Sequence, residues 1–215
     1  MQKIFDKIYR SVYFCVDILK VMTKSEKTRA LIIEKAAPIF NQKGYAGTSL
    51  SDMTNATKLT KGSIYGNFSN KDEVALAVFD YNLGKTNSII NQEMEKYKSA
   101  KEKLLVYGKV YADDTNYPFS VGGCPVLNTA IESDDTHPQL KKKVAAAINS
   151  WKKKITDILK NGVERKEFND SINKEQTALT IIALIEGGIM ISRATGNSRY
   201  QDAMRKSLEN FINQI

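Results

Sequence analysis

Apolar positions recur along this chain at spacings of three and four, and no stretch alternates convincingly with a period of two. That pattern predicts an all-α protein. The first domain helix is expected from Ser25 as N-cap, with Ile32, Ala36, Ile39 and Phe40 on one face. Pro38 is placed to kink it and Gly44 to end it. Thr48 or Ser49, with Asp52 capping in return, opens a short second helix that buries Leu50 and Met53. Thr57, Lys58 and Leu59 form a turn, and a third short helix runs from about Thr60 to Phe68 and buries Ile64. Ser69 or Asn70 caps a long fourth helix, whose first turn carries Asp72 and Glu73 where the macrodipole favours them.

Beyond about residue 97 the helices lengthen and the turns thin out. A helix is expected over 99–114, a loop over 116–123, and a short helix from Pro125. Pro138 opens a long helix with Leu140, Val144, Ile148, Trp151, Ile155 and Leu159 on its buried face. Asn173, with Gln176 three residues on, opens the next one. Within that helix, residues 178–191 are apolar except for Thr180, Glu186 and two glycines. The run is too short to span a bilayer, so the helix is expected to be buried on most sides. The last helix carries Tyr200, Met204, Leu208, Phe211 and Ile215 on one stripe. Residues 1–21 show a looser helical pattern broken by Asp17 and Lys20. They read either as an extra helix or as a segment ahead of a natural start at Met22, and not as a signal peptide or membrane span.

Composition narrows the picture only a little. Of 215 residues, 42% are hydrophobic and 26% charged, which is ordinary for a soluble fold and argues against disorder. The net charge of +8 makes an anionic partner plausible without demanding one. Cys15 and Cys124 form no disulfide framework, and one histidine, His137, cannot complete a zinc-finger spacing. No metal and no cofactor are expected, and the cytoplasm is the default compartment. A phosphate loop is missing, and no Ser/His/Asp set can be built around a lone histidine read as a surface residue, so an enzyme is disfavoured.

Residues 44–71 pack two very short helices across a tight turn, which is the helix-turn-helix arrangement with the second as recognition element. Lys61, Gly62, Ser63, Tyr65 and Asn67 place small, polar and basic groups on that element. Lys61 can meet guanine edges or phosphate, Tyr65 a phosphate or a thymine methyl, and Gly62 lets the backbone come close. Thr48 and Lys71 stand at helix N-termini, where backbone amides attract phosphate. Lys58 and Thr60 in the turn complete the candidate contacts with double-stranded operator DNA. Between 24 and 71, Lys24, Lys27, Arg29, Lys35, Lys43, Lys58, Lys61 and Lys71 outnumber Glu26, Glu34 and Asp52, which suits a polyanion. On composition alone, a small helical subdomain with a solvated basic face remains equally open.

The run Thr48, Ser49, Leu50, Ser51, Asp52, Met53 and the run 59–74, with Lys61, Gly62, Tyr65, Phe68 and Lys71 in register, closely resemble the DNA-binding signature of TetR/AcrR-family regulators. Residues 36–40, Gly44 and Tyr45 resemble that family's first helix and turn. The resemblance covers about 27–81. It implies an all-helical regulator with an N-terminal three-helix DNA-binding domain and a C-terminal helical bundle for ligand binding and dimerisation, with Thr48, Lys61, Ser63, Tyr65, Asn67 and Lys71 as DNA contacts. Departures are Thr57, Lys58 and Leu59 where Ala, Gly and Val are usual, Met53 and Thr54 for Ile and Ala, and Asn67 for His. They put the operator sequence out of reach.

Domains are accordingly expected at 22–71 (DNA binding) and 72–215 (ligand binding and dimerisation), with 72–97 as the linking helix. A pocket for a small, largely apolar effector would draw on Tyr107, Tyr111, Phe119, Cys124, Leu127, Asn128, Trp151 and Ile155, although such a stripe is more often plain core. Cys124 as a redox sensor is a weaker option. Homodimerisation is assigned to Ile181, Leu184, Ile185, Gly187, Gly188 and Ile191, paired with Met204, Leu208 and Phe211. No membrane partner is expected. A helical adaptor without DNA binding is the remaining alternative.

Overall fold

The computed structural model describes residues 22–112 and 122–215, so the N-terminal extension over 1–21 and Phe119 lie outside it. Among the described residues the chain folds into helices α1 (Lys24–Gly47), α2 (Leu50–Thr57), α3 (Lys61–Tyr65), α4 (Lys71–Met94), α5 (Ala100–Ala112), α6 (Pro125–Ser133), α7 (Pro138–Glu164), α8 (Lys174–Thr195) and α9 (Ser198–Gln214).

The helix starts follow local chemistry. Thr23 and Glu26 make a reciprocal capping box for α1, and Ser49 and Asp52 make another for α2. Thr60, Asn70 and Asn173 each accept a backbone N–H at the start of α3, α4 and α8. Thr23 therefore caps α1 in place of Ser25, because only Thr23 has a glutamate three residues on. The expected kink at Pro38 is not where α1 leaves helical geometry. The break is at Gly44, with φ +73, and the chain makes one more turn to Gly47. Helix α3 stops at Tyr65, short of the expected Phe68, as Gly66 and Asn67 close the turn.

Helix α1 packs on α4, α2 on α1 and α3 on α2, around Ile32, Ala36, Phe40, Met53, Ile64, Phe68, Val74 and Val78, all buried. Burial of this apolar surface holds two helices too short to be stable alone. Arg29 of α1 fastens the end of α3. Its guanidinium lies 3.8 Å from the Phe68 ring centroid, donates to the Asn67 carbonyl at 2.5 Å and pairs with Glu73 of α4 at 2.6 Å.

The C-terminal part is a bundle in which α8 packs on α7 and α9, and α9 packs on α5. Helix α8 opens after Asn173 as expected, and its 22 residues are long and apolar enough to cross a membrane by length and composition, although the apolar run alone is not. Contrary to expectation, the helix is not buried on most sides. Ile181 and Ile189 point into the bundle, whereas Leu179, Met190 and Ile191 lie exposed on another face.

Helix α6 bridges the two parts, contacting both α1 and α7. His137, read from sequence as a surface residue, is buried. Its Nδ1 accepts the Leu140 N–H at the start of α7, and its ring meets the edge of Tyr45 with centroids 4.7 Å apart.

Candidate nucleic-acid interface and effector cavity

Arg29, Glu73 and the capping of Thr60 fix α3 as a short rigid element. The Glu73 carboxylate accepts the Ser69 N–H and the Arg29 guanidinium, which hold it below the usual carboxylate range. From this platform Lys58, Thr60, Lys61, Gly62 and Tyr65 project into solvent, with Ser63 half-buried beside them. Lys58 itself is left-handed, with φ 58, a conformation that costs a non-glycine residue about 1 kcal/mol and turns its side chain outward. A Cβ at Gly62 would meet only Thr60 Oγ1 at 3.9 Å. The chain's own packing therefore does not exclude a side chain there, and the bare backbone faces outward.

Three expected contacts have side chains committed within the chain. Thr48 is 1% exposed and donates its hydroxyl to the Gly44 carbonyl at 2.7 Å, so it cannot offer that hydroxyl to phosphate. The Asn67 amide donates to the Ser63 carbonyl at 2.8 Å and accepts from Ser25 at 3.0 Å. Lys71 lies half-buried with its Nζ 4.6 Å from the Tyr45 ring centroid. Thr60 is shared, since its oxygen caps α3 while the residue stays exposed.

In the bundle, a cavity of about 210 Å³ is lined by Tyr111, Gly123, Cys124, Ile189, Ser192, Arg193, Gly196, Ser198 and Gln201. It collects Tyr111 and Cys124 from the sequence candidates and none of the others. Tyr107 and Ile155 lie in the core, and Trp151 is buried with its indole donating to Asn87 Oδ1 at 3.0 Å. Leu127 packs partly buried against the core, and Asn128 faces α1 rather than the cavity. The walls carry Ser192, Arg193 and Gln201, more polar than the apolar pocket expected from sequence. A larger depression of about 440 Å³ between α5 and α9 is rimmed by Lys109, Asp202, Arg205 and Glu209 and takes in none of the effector-pocket candidates.

Next to the cavity, Cys124 Sγ donates to Glu186 Oε1 at 3.2 Å. Burial pushes the Glu186 carboxyl up to about 7 and the Cys124 thiol well above its ordinary value. A thiol held protonated in this way is a poor nucleophile, which counts against a redox-sensing role. Glu186 was missed as a site residue, although its signal was present: it is the one charge within the apolar run 178–191.

The residues assigned to a dimer face divide. Ile181 and Leu208 are buried in the chain's own core, and a Cβ at Gly188 would lie 2.9 Å from Met204 Cβ. Ile181 and Leu208 serve the chain's own core and Gly188 the close approach of α8 to α9, a correction to their reading as intermolecular contacts. Leu184, Ile185, Met204 and Phe211 are half-buried. Gly187 has nothing within 4 Å of its would-be Cβ, and Ile191 is exposed on the same side as Leu179 and Met190.

Comparisons with known proteins agree with this architecture. Residues 32–78 match the model of bacterial regulatory proteins of the tetR family, and residues 100–208 match the tetracyclin repressor-like C-terminal domain. A TetR-family regulator from Cytophaga hutchinsonii is 52% identical, covers 90% of this chain and 97% of its own, and superposes with a TM-score of 0.88. A TetR regulator from Chloroflexus aurantiacus is 37% identical over 90% of this chain and 98% of its own, with a TM-score of 0.85. The helix-turn-helix-type regulator YxaF of Bacillus subtilis is 28% identical over 80% of this chain and 87% of its own length. With both domain models matched in order and the recognition helix exposed on its scaffold, the chain belongs to the TetR family of transcriptional regulators.

Proposed function

We propose that this regulator is a repressor, binding a palindromic operator as a homodimer and released when a small effector occupies the C-terminal bundle. The observation that carries the DNA part is the outward face of α3. Lys61, Tyr65 and the bare backbone at Gly62 stand exposed on a helix that Arg29, Thr60 and Glu73 hold rigid. Lys58 adds charge at the preceding turn. Groups of this kind suit a major groove, with lysine and tyrosine meeting phosphates or base edges.

Dimerisation is supported by the exposed apolar side of α8, where Leu179, Met190 and Ile191 flank the open Gly187. Such a face is costly to leave in water, and a two-fold partner would cover it. The 210 Å³ cavity has room for a small effector, with Ile189 and Tyr111 on its apolar side and Arg193, Ser192 and Gln201 on its polar side. Effector binding acts by its differential affinity for the two conformations and so lowers operator affinity. The reading is of a cytoplasmic binding protein and not an enzyme or a membrane protein.

The test is Lys61→Ala and Tyr65→Ala, each assayed for operator binding and for thermal unfolding. Each is expected to weaken binding by about 10- to 100-fold while leaving the melting temperature close to that of the parent. Unchanged affinity in both variants would overturn the assignment of α3.

A further inference from the structure

The break at Gly44 leaves the N–H groups of Tyr45 and Ala46 pointing away from α1. Both are taken by one carboxylate of the other domain: Tyr45 N donates to Glu132 Oε2 at 2.6 Å and Ala46 N to Glu132 Oε1 at 2.7 Å. The approach is so close that a Cβ at Gly44 would lie 2.5 Å from Glu132 Oε2. Gly44 is held to glycine by its φ of +73, and a side chain there would have to displace this carboxylate.

Four residues earlier, on the same face of α6, Asn128 makes a second rung. Its Nδ2 donates to the carbonyls of Asn41 and Gly122, each at 3.0 Å. Asn41 Nδ2 answers by donating to the Gly123 carbonyl at 2.9 Å. A Cβ at Gly122, whose φ is +112, would come within 2.8 Å of the Asn41 carbonyl oxygen. The segment 122–123 thus lies directly on the backbone of α1, and its continuation through Gly123 and Cys124 is a wall of the 210 Å³ cavity.

We propose that Asn128 and Glu132 form an interdomain clamp, through which the cavity wall sets the position of the α1 end and with it the recognition helix. The proposal rests on the reading of the chain as an effector-responsive DNA-binding regulator and names the residues that carry the response. Movement of residues 122–124 shifts the start of α6, and both rungs shift with it because they are spaced i, i+4 on one helix. The α1 end passes the displacement on, since Gly44 O accepts from Thr48 just ahead of α2 and the Tyr45 hydroxyl donates to Asp72 at the start of α4. Hydrogen bonds weaken steeply with displacement and misalignment, so both rungs hold the α6 face and the α1 end to one register.

The experiment uses the full chain with Asn128→Ala, Glu132→Ala and the conservative Glu132→Gln. It reads amide hydrogen exchange at Tyr45 and Ala46, and affinity for an operator fragment selected by the parent protein. Asn128→Ala should accelerate exchange at Tyr45 and Ala46 even though its own bonds lie at Asn41 and Gly122. Glu132→Ala should lower operator affinity about tenfold, within the usual range of coupling between sites. Glu132→Gln, keeping one acceptor oxygen, should lose less. The dependence of affinity on salt should match the parent, because no phosphate contact is removed. Unaltered exchange in Asn128→Ala, or parental affinity in a folded Glu132→Ala, would overturn the clamp. Should Glu132→Ala fail to fold, Glu132→Gln decides the affinity arm. A parent protein that selects no palindrome would instead count against the DNA-binding reading, and the exchange data would still decide the clamp.

Discussion

The helix-turn-helix region and the C-terminal bundle both cap their helix starts but differ in where they leave polar groups unsatisfied. Over residues 23–73, Thr23, Ser49, Thr60 and Asn70 each satisfy a helix start, and Glu26, Asp52 and Glu73 are held below the usual carboxylate range by the groups they bond. The outward residues are left with polar capacity that only an external partner can use. In the bundle the unused capacity is on the inside. Tyr107 Oη and Glu186 Oε2 are sealed from solvent without a hydrogen-bond partner among the described residues. Buried polar atoms without partners cost stability and occur where something other than packing is selected. One region is built as a rigid surface and the other as an adjustable interior.

The largest expected effect tests the rigidity of the first region. Phe68 is buried under the Arg29 guanidinium at the end of α3, and Phe68→Ala should cost about 3–5 kcal/mol in chemical denaturation. A loss well below that would mean the recognition helix is not held as tightly as described.

Next is the interior acid. Glu186 titrates at about 7 when folded, against an ordinary value of 4.5. Between those values folding takes up a proton, so this group's contribution makes stability fall as pH rises and reaches its full cost, about 3 kcal/mol, above the folded value. Glu186→Gln should flatten the slope between about pH 5 and about pH 8 and be the more stable protein at the upper end. Parallel pH profiles for the variant and the parent would show that the interior is as well satisfied as the surface. The smallest effect is expected at a cap, where Ser49→Ala should cost about 1 kcal/mol of thermal stability.

The contrast also separates what the sequence could reveal from what it could not. Local signals survived intact: Ser49 with Asp52, Asn70, Pro125, Pro138, and Asn173 with Gln176 all stand at helix starts. Each acts within three or four residues, so reading along the chain finds them. Ser25 was the expected cap of α1, but Thr23, with Glu26 three residues on, takes that place. Functions that need distant partners stayed hidden. His137 is buried because Tyr45, far away in sequence, covers it. Thr48 fits the pattern of a phosphate contact, but its hydroxyl is spent on Gly44. For α8 the periodicity identified apolar stripes but could not say which stripe faces α9, so Ile181 and Gly188 were assigned outward when they pack inward. The cavity is the extreme case, as its walls come from four separate parts of the chain and only Tyr111 and Cys124 were anticipated.

The most direct measurement is selection of bound DNA from a random double-stranded library by the purified protein, followed by a salt titration on the winner. The account predicts a two-fold palindrome, bound far more tightly than random DNA, with affinity that falls as salt rises. Salt-sensitive binding with no sequence preference would contradict it and leave a basic helical protein whose α3 reads nothing.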